Sequence, residues 1–266
     1  MVYSRKWANT ITMQKKKRIL LKVGSNTLTK ETDNISRGKI EDIASQIAQL
    51  QDAYEFIIVS SGAIAVAKQF VKLESKADGV FVKQALASIG QPHLIRIYQE
   101  IFREYGLLSS QCLLSYSDFE KKESKTNIVN TINVLVNNNY IPIINENDTV
   151  ATDEIQFGDN DKLGALTASL LEVDLFIIAT NTNGIYTKES IEKKAPKTIE
   201  LVEDFEALLK QVVNSKSTHG SGGMQSKIEA AALTKKVNIE TWIVNGLEDN
   251  FILNAMKNTV PFTRIK

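Results

Sequence analysis

The sequence is poor in the residues on which many protein chemistries depend. Its 266 residues include one cysteine, Cys112, so no internal disulfide can form and no CxxC pair exists for zinc. A reducing cytoplasm fits that composition. Two histidines, His93 and His219, argue against histidine-rich metal sites and most histidine-based proton relays. No apolar run approaches the roughly 20 residues that cross a bilayer. GxSxG is missing, which argues against a serine nucleophile of the hydrolase type. GxxxxGK[ST] is missing too, which rejects a Walker-type phosphate loop. No carboxylate spacing matches an EF-hand, and there is no internal repeat or low-complexity tract.

What is present suits a globular enzyme: 43% apolar and 24% charged residues, enough apolar surface to offset chain entropy. The net charge of +1 conceals an asymmetry. Arg5, Lys6, Lys15, Lys16, Lys17 and Arg18 crowd the first eighteen residues, where no acid occurs. The 31 acids therefore outnumber the bases in the remaining body, which is a poor match to nucleic-acid phosphates. The basic leader lacks an apolar core of signal-peptide length before Gly24. Residues 1–17 are expected to be a basic extension, most of it preceding an internal start near Met13, and 18–266 a single domain.

Short apolar runs alternate with helix-period stretches. Strands are predicted at Ile19–Val23, Phe56–Val59, Leu107–Leu114, Ile141–Ile144, Leu175–Ile178 and Thr241–Val244. Helices are predicted around Ile40, Ile43, Ile47 and Leu50, and over Val80–Tyr105, with a break at Gly90-Gln91-Pro92 because proline is excluded from helix interiors. Further helices are expected at Asn127–Val136, Lys162–Leu171, Gln225–Lys236 and Phe251–Met256, with a hairpin at Thr149–Phe157 and a polar loop at Lys188–Lys197. Strands separated by helices imply right-handed crossovers and a mainly parallel sheet covered on both faces, a three-layer α/β/α sandwich.

Ligands of such sheets gather at the carboxyl ends of the strands. Polar clusters fall there at Lys22–Ser25, Ser60–Ala63, Asn145–Asp148 and Thr180-Asn181, and two more open helices at Gly158–Asp161 and Gly220–Lys227. Each has an ordinary reading as a turn or cap. Lys22 at a buried strand tip needs an anion or open water, and phosphate is the obvious anion. Ser61-Gly62-Ala63 reads either as a helix cap or as a small-residue turn that admits a ligand carboxylate. The glycines before Lys227 let backbone N–H groups approach phosphate oxygens, with a helix N-terminus and a full charge behind them. Glu146, Asp148, Asp159 and Asp161 read as a solvated turn or as a site for an ammonium group, magnesium, or both.

Lys22-Val-Gly-Ser, Val59-Ser-Ser-Gly-Ala-Ile-Ala, Ile143-Ile-Asn-Glu-Asn-Asp-Thr-Val-Ala-Thr, Phe157-Gly-Asp-Asn-Asp and Ser221-Gly-Gly-Met-Gln-Ser-Lys227 together resemble the glutamate 5-kinase family of the amino acid kinase superfamily, in the family's order and approximate spacing. The resemblance implies the amino acid kinase fold and ATP-dependent phosphorylation of the L-glutamate side-chain carboxylate, with Mg2+, as the first step of proline biosynthesis. It implies Lys22 and Lys227 as phosphate-contacting lysines and Asp161 as the acid that organises them. Ser61, Asp148 and Asn160 match glutamate-binding positions. Lys22, Thr180, Asn181, Ser221, Gly222, Gly223, Met224, Gln225, Ser226 and Lys227 match the nucleotide site, and no protein side chain is assigned to the metal. Asn181 stands where the family commonly has Asp. On this resemblance the chain is expected to consist of the kinase domain without the C-terminal PUA domain that many members carry. A homo-oligomer, inhibition by L-proline, a cytoplasmic location, and no nucleic-acid or membrane partner are the remaining implications. The rivals are kinases acting on aspartate, N-acetylglutamate, carbamate or UMP, a non-catalytic sensor on the same fold, and an RNA binder working through the basic leader.

Overall fold

The computed structural model describes residues 16–30, 34–73, 79–151, 160–208 and 223–266. Strand β1 (Lys17–Val23) begins at Lys17, the last residue of the expected extension, and carries a nearly uninterrupted apolar run. Such a run marks a strand buried on both faces. Helices α1 (Ser25–Thr29) and α2 (Arg37–Leu50) follow, the second capped by Ser36, whose Oγ accepts from the Lys39 N–H at 3.2 Å. Ile40, Ile43 and Ile47 recur at helical spacing and are buried together. Next come β2 (Tyr54–Ser60), α3 (Ala63–Lys68), α4 (Gly79–Glu104), β3 (Leu108–Leu114), α5 (Lys122–Asn137) and β4 (Tyr140–Glu146). The second half adds α6 (Asp161–Leu170), β5 (Leu175–Thr180), α7 (Lys188–Glu192), β6 (Leu201–Val202), α8 (Met224–Lys235), β7 (Glu240–Asn245), α9 (Phe251–Met256) and β8 (Thr263–Ile265).

The strands form one eight-stranded sheet in the order β3-β4-β2-β1-β5-β7-β8-β6. It is parallel from β3 through β7, while β8 runs antiparallel to β7 and pairs in parallel with β6. Alternation along β1 divides the core. Ile19, Leu21 and Val23 join Ile58 and the apolar stripes of α2, α4 and α9 on one face. Leu20 joins Val59, Phe176 and Ile178 on the other, against α5, α6 and α8. The α/β/α sandwich is thus three layers with β1 at its centre.

The break expected at Gly90-Gln91-Pro92 does not occur, and α4 runs through Pro92. Tertiary contact outweighs the local penalty. A Cβ on Gly90 would stand 1.8 Å from the Ala63 carbonyl oxygen, so α4 lies flush against the start of α3. The polar stretch expected as a loop at Lys188–Lys197 opens with the short helix α7. The short strands β6 and β8 had no sequence signal. Most of the expected Thr149–Phe157 hairpin lies outside the described residues; up to Ala151 the chain is a turn, with the Val150 and Ala151 N–H groups donating to the Asn147 carbonyl. Among the described residues no helix is long and apolar enough to cross a membrane.

Candidate active site

The carboxyl end of β1 delivers Lys22, which is 2% exposed. Its ammonium needs space at the strand tip, and Gly24 leaves it: a Cβ there would stand 3.2 Å from Lys22 Nζ. Facing it is Asp161, the first residue of α6 and fully buried. Gly164, one turn further, lets this helix approach the sheet, since a Cβ there would lie 3.0 Å from the Phe176 ring and 3.6 Å from Lys22 Cβ. Lys22 Nζ sits 2.6 Å from Asp161 Oδ1. From the far end of the chain, the first turn of α8 places Lys227 Nζ 3.0 Å from Asp161 Oδ2. Ser226 Oγ lies 2.9 Å from the same oxygen and 2.8 Å from the Gly223 carbonyl, so its single proton is shared between two acceptors.

Two ammonium groups thus converge on one carboxylate. Burial alone would raise the Asp161 pKa, but the charges and hydrogen bonds of Lys22 and Lys227 overcome it and hold the carboxyl below the usual aspartate range. The group stays ionised throughout the neutral range. Breaking such a trio is costly, because either side left alone is a buried charge.

Beside the trio lies a network of amides. Asn160 stands at the N-cap position of α6, its side chain turned to other partners, and is fully buried. Its Nδ2 donates to Asn145 Oδ1 at 2.7 Å, with Ser61 Oγ at 3.2 Å and the Ser60 carbonyl at 3.3 Å. Asn145, next to last in β4, also accepts from the Glu146 N–H at 2.9 Å and donates through Nδ2 to Gln91 Oε1 on α4 at 2.8 Å. Ser60 Oγ meets the Tyr98 hydroxyl at 3.0 Å; burial pushes that phenol up to about 12, against the opposing effect of the Ser60 bond. Asn160 Oδ1 and Asp148 Oδ1 are buried acceptors with no hydrogen-bond partner among the described residues. Burial pushes the Asp148 carboxyl up to about 6.

The predicted substrate residues Ser61 and Asn160 therefore touch, and Asp148 stands three residues beyond Asn145 at the same strand end. Lys22, Lys227 and Asp161 form one ionic unit. Of the residues expected at the nucleotide site, Thr180 is buried at the end of β5, its carbonyl accepting from the Gly246 N–H at 2.7 Å, while Asn181 is exposed. Gly246 is tightly enclosed, since a Cβ would approach Thr27 Cγ2 to 2.7 Å and Ala179 Cβ to 2.8 Å. Gly223 and Met224 open α8, and Gln225 bonds Glu229 at 2.8 Å rather than turning toward the lysines. Ser221, Gly222, Asp159 and His219 lie outside the described residues. Gln91 was missed by sequence reasoning. A signal existed: it lies four residues after Ala87 and three before Leu94, a polar residue on the buried stripe of α4.

Residues 17–245 match the family model described as Amino acid kinase family. The chain belongs to the amino acid kinase family. Among curated amino acid kinase relatives is the glutamate 5-kinase of Thermoanaerobacter sp. (strain X514), 42% identical over 243 residues, or 91% of this chain and 65% of that protein. The glutamate 5-kinase of Alkaliphilus metalliredigens is 38% identical over 254 residues, or 94% of this chain and 96% of that protein. This amino acid kinase chain therefore spans just under two thirds of the first relative and nearly all of the second. The solved structures that resemble it confirm the fold alone. UMP kinase from Ureaplasma parvum superposes with a TM-score of 0.62 at 17% identity, covering 95% of this chain and all 100% of its own. Carbamate kinase from Giardia lamblia, bound to AMP-PNP, gives 0.66 at 14% identity, covering 94% and 98%.

Proposed function

We propose that the protein transfers the γ-phosphoryl group of ATP to the side-chain carboxylate of L-glutamate, giving L-glutamyl 5-phosphate and ADP. The observation that carries this reading is the convergence of Lys22 and Lys227 on Asp161, next to the acceptors Asn160 Oδ1 and Asp148 Oδ1, buried and unpartnered among the described residues. The names of the curated relatives support the choice of substrate.

The side-chain carboxyl of free glutamate titrates near pH ~4.3, so at neutral pH it is already an ionised nucleophile and needs no general base. One carboxylate oxygen attacks the γ-phosphorus while the bond to the β-phosphate bridging oxygen breaks, and ADP leaves with that electron pair. The obstacle is the approach of an anion to an anion. Lys22 and Lys227, fixed by Asp161, place two positive charges where negative charge spreads over the transferring group. Their geometry is set before substrate arrives, so little reorganisation is needed during transfer. Asp148 and the Oδ1 of Asn160 offer acceptors to the substrate's ammonium group, and Ser61 and the Gly62 turn approach its carboxylate end.

Magnesium fits this scheme as a passenger on the nucleotide. Its usual partners are substrate phosphates with one or two carboxylates, not an all-protein cage. Among the described residues no three His, Cys, Asp or Glu side chains gather around a common point, and both oxygens of Asp161 face lysines. Bound to the phosphates, the ion would offset their charge. Thr180, Asn181 and the segment 221–227 serve the nucleotide in this reading.

The same resemblance extends to proline synthesis as the destination of the product, L-proline as an inhibitor, a homo-oligomeric assembly and a cytoplasmic setting. The test of the activity is chemical. An acyl phosphate is trapped by hydroxylamine, so a reaction with ATP, magnesium and glutamate should yield the glutamate 5-hydroxamate. No hydroxamate from an otherwise folded protein would refute the proposal.

A further inference from the structure

We propose that Gln91 is a positioning residue for substrate recognition: through Asn145 it fixes the amide of Asn160 so that the Asn160 carbonyl, rather than its NH2 group, faces the substrate. The inference rests on the reading of this pocket as the glutamate site.

An asparagine amide has a donor end and an acceptor end, and a buried one presents whichever end its neighbours leave over. Here the neighbours are fixed by backbone groups. The Glu146 N–H can only donate, so it holds Asn145 Oδ1 at 2.9 Å. The Ser60 carbonyl can only accept, so it faces Asn160 Nδ2 at 3.3 Å. Between them runs the shortest bond of the set, Asn160 Nδ2 to Asn145 Oδ1 at 2.7 Å. This arrangement commits Asn145 Nδ2 to the opposite side, where it requires an acceptor. Gln91 Oε1 supplies one at 2.8 Å from a different layer element, α4.

Gln91 is nine-tenths buried and Asn145 almost wholly so. Without Gln91 the Asn145 NH2 group would be buried with no partner, a state that favours rotation of the amide toward any other acceptor. Rotation would set two NH2 groups against each other and release Asn160. The Asn160 Oδ1 left over is the output of the chain. Buried and unpartnered among the described residues, this oxygen is an acceptor that a cationic donor such as an ammonium group would satisfy on binding; reversed, the amide would present an N–H to that cation. Gln91 thus acts on the substrate through two intervening amides.

Two variants separate this role from simple space filling. Gln91→Glu keeps an acceptor of the same reach, whereas Gln91→Met keeps the volume and has none. With glutamate and ATP, Gln91→Met should raise the KM for glutamate about tenfold, leaving kcat and the KM for ATP within about twofold. Gln91→Glu should stay within about threefold of wild type. A second readout needs no turnover: in nitrogen-15 spectra, the side-chain N–H pair of Asn160 should exchange slowly in wild type and in Gln91→Glu, and roughly tenfold or more faster in Gln91→Met. Equal glutamate KM values for the two variants, or unchanged Asn160 exchange in Gln91→Met, would overturn the proposal. Should Gln91→Met not fold, rapid exchange of the Asn160 pair in the wild type would do so alone. Failure of the wild type to use glutamate would instead remove the functional reading, with the exchange data still judging the relay.

Discussion

Lys22 and Lys227 bind the two oxygens of one carboxylate, at 2.6 Å from Asp161 Oδ1 and 3.0 Å from Oδ2. One comes from the first strand and the other from a helix near the end of the chain. A buried acid therefore sets the spacing of two cations that a flexible pair of side chains would not hold.

This shared anchor makes the lysines interdependent. Lys22→Met and Lys227→Met should each lower turnover by roughly a hundredfold, with a smaller change in the KM values, if both stabilise charge mainly in the transition state. The double variant should be less impaired than the product of the single effects, because neighbouring groups acting on one centre are not additive. Asp161→Asn removes the charge but keeps the shape, leaving two lysines to repel each other. Its turnover should fall at least as far as that of either lysine variant. Steady-state ADP release from the four variants, after each is shown to be folded, tests the set.

Asp148 should make substrate binding depend on pH. Its carboxyl is pushed up to about 6 by burial, so in the free protein it becomes protonated as pH falls through that value. An ammonium substrate needs the ionised form, and the KM for glutamate should rise below about pH 6. Asp148→Asn should raise that KM at neutral pH far more than the KM for ATP and should abolish the acid limb. The stability effect has the opposite direction. A folded-state pKa above the unfolded one favours the folded state at low pH, and that advantage is lost as pH rises through about 6. Melting curves of wild type relative to Asp148→Asn across pH 4 to 7 should show it.

A tie between two helices should govern stability without touching catalysis. Gln46 Oε1, fully buried on α2, accepts from the Ile252 N–H at 2.7 Å and the Leu253 N–H at 3.2 Å, the first turn of α9. A helix start has no internal partners for these groups. Gln46→Met should strand both donors and cost about 1–3 kcal/mol of unfolding free energy. Denaturant titration measures the loss, and kcat of the folded fraction should be unaffected, since among the described residues the hydrogen bonds of Gln46 go to Asp42 and the start of α9 rather than to the candidate site.

The layers were readable because apolar runs such as Ile19–Val23 and Phe56–Val59 are buried on both faces, and because Ile40, Ile43 and Ile47 keep a helical period. Pro92 misled because its local penalty is visible in sequence while the flush contact of Gly90 with Ala63 is not. β8, with Thr263, Arg264 and Ile265, is too short to carry a period. Within the site, Lys22 was legible as a charge at a buried strand tip, while Asp161 and Lys227 had ordinary turn or loop readings and gained their roles from the family resemblance. Their mutual distances were not legible, because they depend on how β1, α6 and α8 pack. Gln91 escaped for a related reason: a single polar residue on a helix stripe acquires meaning only when Asn145 is found opposite it.

The most direct test of the central claim is ADP release by the wild-type protein with ATP and magnesium, in parallel with L-glutamate, L-aspartate, N-acetyl-L-glutamate, carbamate and UMP as acceptors. Release should depend on glutamate and be lost in Lys22→Met, with little from the other acceptors. Release driven by one of those acceptors, or equal glutamate-dependent release from wild type and Lys22→Met, would contradict it.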